Sequence, residues 1–131
     1  MAAEDFRWNE EDLEKIYLVS RMVYREEIAP NKAAEKLAGI IEQSPEAIKV
    51  FFSMYIHMRY GRIFKQSGGD QMIIYFLKKI AEEDGDRALA FALKSVYGYA
   101  GFKESVGCYM NDLNKACAEI ERITGVKPAG A

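Results

Sequence analysis

The chain has 131 residues, half of them hydrophobic and 29% charged, which is an ordinary composition for one globular domain. It has a single histidine and only two cysteines, and no apolar run approaches the roughly 18 residues that a membrane helix needs. This composition argues against a disordered chain, a disulfide framework and a membrane protein, and it favours a cytoplasmic location. The net charge is −2, yet residues 44–69 carry one acid and four bases, a net of +3.

Two helices are predicted before residue 45. The first covers about residues 10–27, with Asn9 as its N-cap, because apolar residues recur there at helical spacing. Pro30 is predicted to break the chain. Asn31 is then expected to cap a shorter second helix over residues 32–41.

The third helix has the clearest boundaries in the sequence. Ser44 is an N-cap residue, Pro45 suits the first helical position, and Gly61 is expected to end the helix at residue 60. Residues 45–60 are apolar around most of the circumference, so this helix should be surrounded by others. One polar line remains, in which each member is the fourth residue after the one before it: Lys49, Ser53 and His57.

Three further helices follow a basic loop over residues 62–69. Asp70 is predicted to cap the fourth helix and Asp86 the fifth. A glycine-rich, aromatic bend is expected at residues 97–102, and the sixth helix is expected to run from about residue 104 to residue 124.

The fold prediction is therefore all-α: one compact bundle of about six helices over residues 1–131. Residues 1–8 and 126–131 are expected to be frayed. The second and third helices together have the outline of a helix-turn-helix over residues 32–60.

The residue pattern offers little for catalysis or for a cofactor. A zinc site takes four ligands in close pairs, and this chain has one histidine and no C-x-x-C motif. Acids gather at residues 82–86 without the spacing of a calcium loop, which is typical of solvated helix ends. Nothing surrounds Cys108 or Cys117 that would activate a thiol. We expect no enzyme activity, no metal and no cofactor.

Nucleic-acid binding has more support. In a helix-turn-helix the second helix enters the major groove, which would turn Glu46 and the polar line Lys49, Ser53 and His57 toward the bases of double-stranded DNA. Three cations would then supply phosphate contacts: Arg59, Arg62 and Lys65. The competing interpretation is that two consecutive helices and four bases are common features of any helical bundle.

Aromatic residues provide a different hypothesis. Phe6 and Trp8 precede the first helix, and Tyr97, Tyr99 and Phe102 crowd one segment. Where such side chains are exposed, they form protein-interaction patches. The second hypothesis is therefore a helical interaction or oligomerisation domain, for example a homodimer.

Four segments resemble a known family, and they occur in this order: 34–38 (AEKLA), 44–47 (SPEA) leading into 55–65 (YIHMRYGRIFK), 75–80 (YFLKKI), and 84–96 with DG, AL and ALKSV. Together they resemble the helical N-terminal region of some bacterial HNH endonucleases of the modification-dependent restriction type. The resemblance covers roughly residues 10–102. The nuclease itself, with its paired histidines, has no counterpart in this chain. The resemblance therefore implies a DNA-associated or target-sensing module, accessory to a restriction, defence or mobile-element system, whose partner is a nuclease or another protein. It leaves open a free-standing relative with another role, such as an accessory protein of a phage or a defence system.

Overall fold

A computed structural model of the protein describes residues 7–130. Over that range the chain forms six helices and no strand. The helices, in chain order, are α1 (Glu10–Tyr24), α2 (Pro30–Ile41), α3 (Pro45–Tyr60), α4 (Asp70–Glu83), α5 (Gly85–Ser105) and α6 (Asn111–Thr124). The prediction of an all-α bundle of about six helices is confirmed.

The first two helices begin differently from one another. Asn9 caps α1 as predicted, because its side-chain oxygen accepts a hydrogen bond from the Asp12 N–H at 2.7 Å. Asn31 does not cap α2. Pro30 is already the first helical residue, where its fixed φ and missing N–H are tolerated, so the helix starts earlier than predicted.

Helix α3 lies at the centre of the bundle. It packs against α1, α2 and α5, which agrees with the prediction that its apolar circumference is surrounded. Ser44 caps it by accepting the Ala47 N–H at 3.1 Å. Gly61 ends it in the left-handed conformation, with φ of +68°, as the sequence predicted.

The second half of the chain departs from the prediction in several places. Asp70 and Asp86 lie within the first turns of α4 and α5 rather than at their caps. The bend predicted at residues 97–102 is not formed, and α5 continues to residue 105. The chain turns instead at residues 106–110, around Gly107 with φ of +92°.

A close contact explains why Gly98 does not bend the chain. A Cβ atom at this position would lie 2.5 Å from Cγ1 of Ile63, so only glycine lets the loop after α3 approach α5 this closely. Glycine here serves packing rather than a turn. The helix ends at Ser105 instead, and Val106, the first residue after it, is 61% exposed.

The buried side chains form one core cluster shared by all six helices. The ends of the described chain also pack onto it, against the prediction of frayed termini. Trp8 is buried and exchanges two hydrogen bonds with the Gln71 side chain, at 2.8 and 2.9 Å. Val126 is buried, and the Ala129 N–H donates to the Ala90 carbonyl at 2.9 Å. Residues 1–6 and 131 lie outside the described residues.

No helix within residues 7–130 combines the length and the apolar character that crossing a membrane requires. Both cysteines are free: Cys108 is exposed in the turn before α6, and Cys117 is buried in that helix.

Candidate functional site

The main concave surface of interest lies between α3 and the loop that follows it. It contains a cavity of about 590 Å³. Its lining comes from two elements: Lys49, Val50, Ser53 and His57 of α3, and residues 63–66 of the loop. The structure therefore brings together four of the six side chains that the sequence singled out, which are Lys49, Ser53, His57 and Lys65.

A second cavity, of about 410 Å³, adjoins the first, and the two share Val50, Lys65 and Gln66 as lining residues. It is lined by residues 47, 50 and 51 of α3, residues 65–67 of the loop, and Tyr99 and Lys103 of α5. We call the two cavities together the basic groove. In the part of the chain that the structure describes, no aspartate or glutamate lines it.

The loop wall of the groove is fixed on α5 by specific contacts. The Ser95 hydroxyl donates to the Arg62 carbonyl at 2.5 Å, and Ser67 shares a hydrogen bond with the Tyr99 hydroxyl at 3.0 Å. Phe64 is buried and stacks on the Tyr99 ring, with 4.6 Å between the ring centroids. These contacts hold Lys65 opposite Lys49 on a defined wall.

The lysines of the groove are available for an anion. Among the ion pairs formed within residues 7–130, none includes Lys49, Lys65 or Lys103. Lys49 and Lys65 are exposed, and Lys103 is half-buried. Lys65 Nζ lies 5.1 Å from the centroid of the Phe102 ring, a cation–π contact that holds the ammonium group near the groove without neutralising it.

His57 is oriented by its own helix. Its Nδ1 lies 2.7 Å from the Ser53 carbonyl oxygen. Because a carbonyl oxygen only accepts, Nδ1 carries the proton and donates it. The Ser53 hydroxyl oxygen also lies 3.4 Å from this Nδ1. Because Nδ1 already carries a proton, it cannot take one from Ser53, so the half-buried imidazole is a positioned polar group of the groove wall and not a base for that hydroxyl.

Arg59 and Arg62 do not line the groove. Arg59 lies on another face of α3, where its Nη1 donates to the Tyr55 hydroxyl at 2.9 Å and lies 3.5 Å from Oδ2 of Asp84. Only 15% of its side chain is exposed. Arg62 is exposed, with its guanidinium 5.2 Å from the centroid of the Tyr60 ring. The geometry thus separates both arginines from the lysines with which the sequence grouped them.

The Arg59 surroundings form a compact polar cluster that joins three parts of the bundle. We call it the Asp84 cluster; its members are Tyr17, Arg21, Tyr55, Arg59 and Asp84. The Tyr17 hydroxyl donates to Asp84 Oδ2 at 3.2 Å, and Arg21 Nη2 lies 3.6 Å from Oδ1 of the same carboxylate. Burial raises the pKa of Tyr17 and of Tyr55 above the usual tyrosine value.

The other candidate features are less well formed. Within residues 7–130 no three side chains of His, Cys, Asp or Glu come together as metal ligands. The predicted aromatic patch is not assembled either: Trp8 and Tyr99 are buried, Tyr97 and Phe102 are half-buried, and Phe6 lies outside the described residues.

Lys103 is the groove residue that the sequence did not indicate. The bend predicted at residues 97–102 would have separated it from Tyr99. In the uninterrupted helix α5, residues 99 and 103 are one turn apart and lie on the same face. The signal that could have identified Lys103 is its spacing of four residues from Tyr99, which places both on one helix face if Gly98 does not bend the chain.

Comparison with known protein families, with curated proteins and with solved structures finds no match to this chain. The resemblance to the N-terminal regions of HNH endonucleases stays a prediction that rests on the segments quoted above.

Proposed function

We propose that this chain is a non-catalytic DNA-binding module and that it holds DNA phosphates in the basic groove. The observation that carries the proposal is the lysine cluster: three lysines from three elements share one groove that no acid lines, on a chain with a net charge of −2. Phosphate contacts by lysine supply affinity for DNA whatever its sequence.

The chemistry of the groove fits binding better than turnover. Its polar groups other than lysine are Ser53, His57, Gln66 and Ser67, which are hydrogen-bonding groups without an activated nucleophile among them. The nuclease or other defence-system partner implied by the sequence resemblance would supply any reaction. A helical module of this kind would act by bringing that partner to DNA.

The proposal is tested by fluorescence anisotropy with a labelled DNA of about 20 nucleotides, offered as single strand and as duplex at about 50 mM salt. The groove variant carries Lys49→Ala, Lys65→Ala and Lys103→Ala. The matched control carries Lys32→Ala, Lys36→Ala and Lys115→Ala, exposed lysines on α2 and α6 that line neither cavity. Both variants lose the same charge.

We expect the groove variant to lose about tenfold or more in affinity and the control to stay within about twofold of the unmodified protein. Far-UV circular dichroism establishes that both variants are folded. The proposal would be overturned if the protein bound neither the single strand nor the duplex, or if the two variants lost affinity equally.

A second candidate function uses a different surface. Between α4 and α6 lies an apolar cavity of about 360 Å³, lined in part by Ala81, Ile120 and Ile123. Ile123 is 68% exposed, and apolar surface of this kind is typical of protein contacts. Oligomerisation through this surface predicts a dimer in light scattering that Ile123→Asp converts to a monomer. A protein that is monomeric at every concentration rules out this self-association.

A further inference from the structure

The form of DNA that the groove can accept is limited by where α3 lies. A helix that reads duplex DNA must enter a major groove about 12 Å wide, and it therefore has to stand out from its domain. Helix α3 is packed against α1, α2 and α5. Lys49, Ser53 and His57 form one wall of a concave cavity whose other wall is the loop at residues 63–66. A helix whose polar face is one wall of a concave surface is poorly placed to enter a duplex.

The floor of the groove carries a second indication. Apolar side chains line the groove together with the lysines: Val50 of α3 is half-buried, whereas Phe51, Phe64 and Tyr99 are almost fully buried and add little accessible surface. Ile63, which is 58% exposed, adds apolar surface at the same site. Phosphates gain nothing from such a floor. Nucleobases do, because their faces are apolar, and they can reach a protein surface only when they are not stacked inside a duplex.

The three lysines are distributed along the groove. Lys49 lines the first cavity, Lys103 lines the second, and Lys65 lines both. Cationic groups thus occur along the whole groove, beside an apolar floor. A positively charged groove that follows a backbone while bases pack against the protein is the usual arrangement of proteins that bind single strands.

We infer that the basic groove binds single-stranded DNA, with the phosphates at Lys49, Lys65 and Lys103 and the bases against the apolar floor. This inference rests on the proposed function and makes it more specific. It differs from the helix-turn-helix mode expected from the sequence, in which α3 would contact the bases of a duplex.

The test compares three labelled probes of equal length by anisotropy: a single strand, its duplex, and an abasic single strand, which keeps the sugar-phosphate backbone and lacks the bases. We expect the single strand to bind about tenfold more tightly than the duplex and than the abasic strand, because both of those lack free bases. Binding of the duplex as tightly as the single strand would overturn the inference and leave the proposed function standing. Equal binding of the abasic strand would overturn base contact with the floor. Absence of binding to all three probes would overturn both proposals.

A pair of substitutions examines the floor directly. Ile63 lines the groove and is 58% exposed, while Ile40 on α2 is 59% exposed and lines neither cavity. Ile63→Ala should weaken single-strand binding about threefold and leave abasic-strand binding unchanged, since only bases contact this side chain. Ile40→Ala should change neither. If Ile63→Ala weakens both strands equally, the side chain acts on the fold of the loop and the inference loses its support.

Discussion

Helix α3 carries cationic side chains on two faces, and their surroundings differ. On one face Arg59 is enclosed by the Asp84 cluster, where it contacts a carboxylate, a phenol hydroxyl and the Tyr24 ring, 4.6 Å from its centroid. On the other face Lys49 points into the basic groove and takes part in none of the ion pairs found among the described residues. Lys49 and Arg59, ten residues apart on one helix, thus differ in their contacts: Arg59 joins elements of the fold, and Lys49 is free to contact a ligand.

The charge of a segment does not by itself identify the side chains that are free to bind a ligand. A net charge of +3 over residues 44–69 marks the segment as unusual, but a charge count treats Arg59 and Lys49 alike. Burial and pairing separate them. A guanidinium that hydrogen-bonds in several directions suits a partly buried cluster, whereas an ammonium group on a flexible stem suits an exposed groove.

The largest effect on stability is expected from Asp84. Its side chain is 7% exposed and lies beside both Arg21 and Arg59. Asp84→Ala would leave the confined Arg59 guanidinium without its carboxylate, while Arg21 would keep its contact with Glu83, so we expect the free energy of unfolding to fall by about 3 kcal/mol. Urea denaturation measures this. A loss below about 1 kcal/mol would mean that the cluster does not hold the bundle together.

Arg59→Met is expected to have the next largest effect. It keeps an aliphatic stem over Tyr24 and removes the charge, which should cost about 2 kcal/mol of unfolding free energy. Affinity for DNA should stay within about twofold, because Arg59 does not line the groove. A substantial loss of DNA affinity with little loss of stability would mean that Arg59 contacts DNA and does not stabilise the fold.

Tyr55→Phe tests the cluster through pH. The substitution removes the hydroxyl that accepts from Arg59 and should cost about 1 kcal/mol near neutral pH. Burial raises the pKa of Tyr55 above its usual value of 10.0, so the folded chain keeps a proton that the unfolded chain loses. The contribution of protonated Tyr55 to the free energy of unfolding is therefore complete below pH 10.0, and it is lost as the pH rises further. Stability of the unmodified protein should fall more steeply above that pH than stability of Tyr55→Phe, and parallel curves would count against a buried phenol.

Lys49→Met should have the smallest effect on stability. The side chain is exposed and unpaired, so unfolding free energy should change by no more than about 0.5 kcal/mol, against the larger loss for the same substitution at Arg59. The two variants compared by urea denaturation give the contrast directly. Equal losses for Lys49→Met and Arg59→Met would remove the distinction between the two faces of α3.

Much of the fold could be predicted because local signals decided it. Ser44, Pro45 and Gly61 define both ends of α3 by capping chemistry, and that helix matches its predicted range of 45–60. The signals failed where a residue has two possible uses. Pro30 can break a chain or begin a helix, and Gly98 can permit a bend or a close contact, and tertiary packing makes the choice.

The candidate site could be predicted only in part, for a related reason. Helical spacing places Lys49, Ser53 and His57 on one line, and the structure places them on one wall. The opposite wall depends on how the loop after Gly61 folds back onto α5, which no local pattern specifies. For the same reason the sequence pattern does not indicate Lys103 as a groove residue, and it does not distinguish Arg59 from the cations that line the groove.

The central claim is that the three lysines of the basic groove contact DNA phosphates, and its most direct test is the salt dependence of binding. Affinity for a single strand of about 20 nucleotides is measured from about 50 to 200 mM salt for the unmodified protein and for the Lys49→Ala, Lys65→Ala, Lys103→Ala variant. Each phosphate contact to a single strand contributes about 0.7 to the slope of log affinity against log salt, so the variant should show a slope shallower by about 2. Identical slopes for the two proteins would contradict the claim.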